Sequence, residues 1–122
     1  DIFKKYVIDN QGQREQILDI EMKRVAYKLT QTRAAEEQRA PGAATFATST
    51  FKHLSTQLES ESLDATVSMM GSQGVGWEGG EFLTEEIAAT RKMLLSKGFL
   101  IAGGSSEVQL NVIAKRVLGL PD

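Results

Sequence analysis

Cysteine is absent from this 122-residue chain, which removes disulfide frameworks and thiolate metal sites and fits a reducing, cytoplasmic setting. Histidine occurs once, as His53, so no histidine metal pair or catalytic dyad can form within one chain. There are only two prolines, Pro41 and Pro121, so long uninterrupted elements are expected. No apolar run approaches the roughly 20 residues of a membrane span, and the N-terminus lacks a secretory pattern. A net charge of −2 gives no electrostatic reason to bind nucleic acid or an acidic membrane.

What is present is ordinary globular composition, 41% hydrophobic and 25% charged, at a length that suits one domain. The chain opens on Asp1 rather than methionine, which predicts a piece of a longer or processed polypeptide. Eight of the eleven glycines fall between Gly71 and Gly104. That clustering predicts long elements first, a loop-rich stretch next and a helix last.

Leu18, Met22, Val25 and Leu29 recur at helical spacing and predict a first helix from about Gln11 to Arg39 with that stripe inward. Charged residues between them predict a solvated face with i, i+4 pairs such as Asp19 with Lys23. Pro41 and Gly42 break the pattern. A second helix is expected over about Ala43 to Met70, where Ala47, Phe51, Leu54, Leu58, Ser62, Ala65 and Met69 repeat in 4-3 steps. Gly71 stops it, and "GSQGVGWEGGEF" reads as irregular turn. A third helix should run from Thr84, as its cap, to about Lys97, with Ile87, Met93, Leu94 and Leu95 inward and Gly98 ending it. A fourth should begin near Ser105 or Ser106, with Ser106 and Gln109 as a capping-box pair and Val108, Val112, Ile113 and Val117 buried. Gly119 and Pro121 close it. The opening "DIFKKYVID" is ambiguous, the remnant of a preceding helix being one reading. The short link between two long helices makes them antiparallel neighbours. The expected fold is all-α, an up-and-down helical bundle of two long antiparallel helices and two shorter ones.

Most candidate motifs reduce to structure. "GSQGVG" lacks the Lys-Ser/Thr ending of a P-loop, the GxGxxG spacing and a preceding strand, and so reads as a flexible turn. His53 is expected on a partly polar helix face, and Trp77 as an anchor on the bundle. The terminal run differs. A helix start offers unpaired backbone N–H groups, and the two glycines ahead of it admit close approach by another molecule. Such ends suit phosphate, but Glu107 already complements the dipole. Neutral hydroxyls, amines or a nucleotide sugar reached by Ser105, Ser106 and Glu107 suit it better, with plain capping as the competing reading.

The run "GGSSEVQLNVIAKRVLGLP" resembles the closing segment of the acyl-CoA dehydrogenase family, and "MMGSQGVGWEGGEF" and "TRKMLLSKG" stand upstream in the expected order. The resemblance implies that residues 1–122 are the C-terminal helical domain of such an enzyme, with the N-terminal helical and middle β domains outside the chain. It implies FAD as cofactor, α,β-dehydrogenation of an acyl-CoA thioester, an electron-transfer flavoprotein as electron acceptor, and packing into a homo- or hetero-oligomer. It carries flavin contact to Ser105, Ser106 and Glu107, and contact with a neighbouring subunit's flavin to Met69, Met70, Gly71 and Ser72. Many members place the catalytic glutamate in the turn before the last helix. Here that position falls on Gly103, its neighbour is Ala102, and Phe99 and Leu100 replace a usual Asn-Ser. No catalytic residue is therefore expected in this chain. Either the base lies on a preceding helix, or the domain belongs to a non-catalytic assembly subunit.

Overall fold

A computed structural model describes residues 10–39 and 47–121. Four helices follow one another: α1 (Gln11–Glu37), α2 (Thr48–Met69), α3 (Thr84–Phe99) and α4 (Ser106–Arg116), with a 3-10 turn over Gly71–Val75 after α2. Among the described residues there is no strand, and no helix is long and apolar enough to cross a membrane. The all-α reading holds. The opening "DIFKKYVID", the Pro41–Gly42 break and the expected first turn of the second helix lie outside the described residues.

α1 begins where Asn10 accepts from the Gly12 N–H at 2.8 Å, one of the helix's orphan donors. α2 is the central element and packs on the other three helices. From Lys23 and Arg24 to Tyr27 on α1, the partners step back along α2 from Glu61 and Ser62 to Phe51, as expected for a helical hairpin. Lys23 bonds Glu61 at 2.9 Å, Arg24 reaches the Ser62 hydroxyl at 2.9 Å, and Tyr27 meets Phe51 edge-on at 5.7 Å. α3 returns antiparallel to α2, since Lys97 near its end bonds Asp64 and Ser60 while Thr90 bonds the Gly74 carbonyl beyond α2.

The interior between α2 and α3 is small and partly polar. Ser60, Thr66, Glu86, Thr90 and Ser96 are buried beside Leu63, Ala65, Met70 and Ala89. Each of these five polar residues has a partner, as the cost of desolvation demands. Thr66 donates to the Ser62 carbonyl, Ser96 to that of Met93, and Thr90 to that of Gly74. Close approach also governs the glycines here. A Cβ on Gly74 would lie 2.6 Å from the Val67 carbonyl, and one on Gly76 would strike the Phe82 ring at 2.5 Å.

Several faces differ from the sequence expectation. Leu18, Met22, Val25 and Leu29 are all exposed, and α1 instead buries Ile20 and Ala34 on its opposite side. At 100° per residue these two stripes are about 180° apart. Leu94, Leu95 and Val108 are also about half exposed, whereas Ile87, Met93, Val112, Ile113 and Val117 are partly buried. The cap of α3 is Leu83 rather than Thr84, and the Leu83 N–H donates to Glu86 Oε2 at 3.0 Å. Gly98 stays inside α3, where it has no positive φ, and the left-handed residues come later, at Gly103 and Gly104. Gly119, with φ of 65°, does terminate α4 as expected.

Candidate functional site

The turn between α3 and α4 is built on two consecutive glycines with φ of 75° and 108°, Gly103 and Gly104. Only glycine adopts this region without strain. Ser105 follows as the N-cap of α4, with extended backbone and no side-chain bond to the helix amides. Its hydroxyl donates instead to the Glu107 carboxylate. That bond, followed by the residue's own backbone N–H, holds the Glu107 carboxyl below the ordinary glutamate range. Gln109 does not reciprocate Ser106 in a capping box. It turns back, and its Nε2 donates to the Gly103 carbonyl at 3.1 Å. The Gly104 carbonyl accepts from Lys52 Nζ, on α2, at 2.6 Å.

The inner edge of the turn is thus filled by this chain's own side chains, while the outer edge is bare. Ala102, Gly103 and Glu107 are exposed, Ser105 and Ser106 are half-buried, and Ser106 lines a shallow cleft with Gln57, Ser60, Glu61 and Leu100. At Gly103, the position to which the resemblance carries a glutamate base, the positive φ disfavours any side chain. Ala102 has no positive φ and carries no carboxylate.

Met69, Met70, Gly71 and Ser72 lie at the far end of α2. Met70 is buried in the core, Met69 is half-buried, and Gly71 (φ 56°) and Ser72 are exposed. Lys52, which marks the level of the glycine turn, and Met70 are separated by roughly 27 Å of helix at 1.5 Å per residue. The two candidate groups are therefore not brought together within one chain. His53 is half-buried, and its Nδ1 has no hydrogen-bond partner among the described residues. Trp77 is not a packed anchor. It is 52% exposed, with the Arg91 guanidinium 4.9 Å from its ring centre and Arg91 also bonded to the Trp77 carbonyl at 2.8 Å.

Sequence reasoning missed Lys52 and Gln109. Lys52 acts across 52 positions of chain, for which no local pattern exists. Gln109 was visible only as half of a capping box, and the same amide found a carbonyl instead of a backbone N–H.

A helical hairpin, a return helix and a short final helix entered through a Gly-Gly-Ser-Ser turn make up an all-α domain. The sequence profile described as "Acyl-CoA dehydrogenase, C-terminal domain" matches residues 1–118, and the chain belongs to that family. Among characterised relatives it is similar to the acyl-CoA dehydrogenase IpdE1 of Mycolicibacterium smegmatis (strain ATCC 700084 / mc(2)155), 41% identical over 58 residues. That alignment takes in 48% of this chain and 14% of the relative, so the matched stretch is a small part of the longer protein. No solved structure matches the chain.

Proposed function

We propose that this chain is the C-terminal domain of a longer FAD-dependent acyl-CoA dehydrogenase that converts an acyl-CoA thioester to its α,β-unsaturated form. In this reading Ser105, Ser106 and Glu107 face the flavin nucleotide, Met69 to Ser72 face that of a neighbouring subunit, and the helices pack an oligomer. An electron-transfer flavoprotein is the proposed electron acceptor. The observation that carries the reading is the double-glycine turn, anchored inside by Lys52 and Gln109 and exposed at Gly103, where no side chain covers the backbone.

The residues fit such a group. Without a Cβ at Gly103, nothing nearer than Lys52 Cε at 3.9 Å would occupy its side-chain position. Glu107 stays ionised, so this helix start repels phosphate and suits the hydroxyl- or amine-bearing part of a nucleotide. FAD, when bound, supplies a hydride acceptor. This chain's own part is to present the Ser105–Glu107 pair and a bare backbone edge, and to contribute no base from Ala102 or Gly103. Removal of the substrate α-proton then falls to a carboxylate elsewhere in the enzyme.

The test is purification of the full-length polypeptide that carries this domain. Expected are visible flavin absorbance and dye-coupled oxidation of an acyl-CoA, with neither property in residues 1–122 alone. A colourless full-length protein would refute the reading, as would turnover by the short chain. The absence of a carboxylate at Ala102 and Gly103 also favours a second reading, a non-catalytic subunit of a heteromeric enzyme. Its mark is bound flavin without turnover until a partner subunit is added.

A further inference from the structure

We infer that Lys52 is a positioning residue for the flavin-facing turn, acting with Gln109 to fix the Gly103 and Gly104 carbonyls in one arrangement. This rests on the function proposed above and adds to it a device outside the turn itself.

The argument begins with what the turn lacks. Two successive glycines at positive φ have no side chains with which to hold their own conformation, and glycine has the widest choice of alternatives. The Gly104 N–H closes the turn on the Ile101 carbonyl at 3.1 Å, and any further rigidity must come from neighbours. The Gly104 carbonyl receives the Lys52 ammonium at 2.6 Å, a charge-assisted bond of the stronger class. The preceding carbonyl, on Gly103, receives the Gln109 amide at 3.1 Å. The two donors come from different helices, α2 and α4, so the turn is tied both to the centre of the bundle and to the helix it opens.

Lys52 is also spent on this contact alone. It is half-buried, and among the described residues no carboxylate pairs with it, unlike Lys23, Lys92 and Lys97, which all sit in ion pairs. A lysine whose stem lies under one glycine and whose charge ends on the carbonyl of the next supports the turn from within. The outer edge is left clear. Loss of the ammonium should let the glycines sample other conformations and move Ser105 and Glu107 off their places.

The experiment uses the full-length protein with Lys52→Met, which keeps most of the stem, Lys52→Arg, which restores a cationic donor, and Gln109→Leu. Hydrogen exchange is followed at the amides of residues 102–107 and of α1, together with the thermal midpoint, the flavin visible circular dichroism and the rate of FAD release. Expected in Lys52→Met is exchange about tenfold faster or more, confined to the turn, with faster FAD release and an altered flavin spectrum. Lys52→Arg should recover most of both. Gln109→Leu should give the same pattern more weakly, and it carries the test if Lys52→Met does not fold. Unchanged exchange and flavin spectrum would overturn the inference, as would acceleration spread equally over α1, which marks general destabilisation. A wild-type protein that binds no flavin sinks the function reading and the flavin part of this one, while the exchange measurement still decides whether Lys52 fixes the turn.

Discussion

The Glu107 carboxyl, bonded by the Ser105 hydroxyl and its own backbone N–H, shows how a pair of side chains sets the character of a helix start. Its folded pKa lies below its unfolded one. The contribution to stability is therefore present above the ordinary glutamate value and lost as pH falls through the folded value. Replacing Ser105 by alanine should raise the Glu107 titration midpoint toward the ordinary range in an NMR titration. A midpoint that stays put would show that the hydroxyl is not the cause. Two glycines make a second test at this scale. Gly104→Ala places a methyl 2.7 Å from the Gln109 amide at a φ of 108°, and should cost about 1–3 kcal/mol in urea unfolding. Gly98→Ala sits in regular helix with nothing within 4 Å, and should add about 0.5–1 kcal/mol. Equal effects at the two sites would contradict the backbone assignment.

Between elements, the clearest polar tie joins α1 to α2. Lys23 bonds Asp19 on its own helix at 2.8 Å and Glu61 across the interface at 2.9 Å, and these two carboxylates push its pKa up to about 12. While both carboxylates are charged, the raised lysine pKa stabilises below the unfolded value of 10.5, and this is lost as pH climbs through about 12. Thermal midpoints of wild type should thus fall over that alkaline window more steeply than those of Lys23→Met; parallel curves would remove the bridge from the account. The helices themselves were legible, because Gly71 and the glycine-serine turn interrupt strong 3.6-residue patterns. Their faces were less so. On α1 the strongest stripe, Leu18 to Leu29, lies on the side away from α2, and the buried side is a sparser set around Ile20, Tyr27 and Ala34. A periodic stripe states that a face is apolar, not which element covers it. On α3 the buried side is Ala89, Thr90 and Ser96, residues too small or polar to register as core, and the chosen Leu94 and Leu95 point outward. The turn's glycines and serines were visible in the sequence, but the side chains that hold the turn were not, since one of them comes from a distant helix.

For the molecule as a whole, the chain exposes 8284 Å², against about 6,500 Å² for a compact monomer of its mass. Among the described residues sixteen large hydrophobic side chains are exposed, and no large side chain is fully buried. Surfaces of this kind mark association. Residues 1–122 alone should therefore sediment as a dimer or larger at micromolar concentration, and the double change Leu18→Glu, Val25→Glu should shift them toward monomer. A wild-type chain that stays monomeric would count against the exposed α1 stripe as an association face. The left-handed backbone at Gly103 has one further consequence, which concerns evolution and engineering. A proton-abstracting carboxylate cannot be retrofitted there without rebuilding the loop, whereas Ala102, one step upstream in ordinary geometry, is open to it. Any carboxylate placed in this turn, by design or by natural substitution, should therefore be accommodated first as Ala102→Glu.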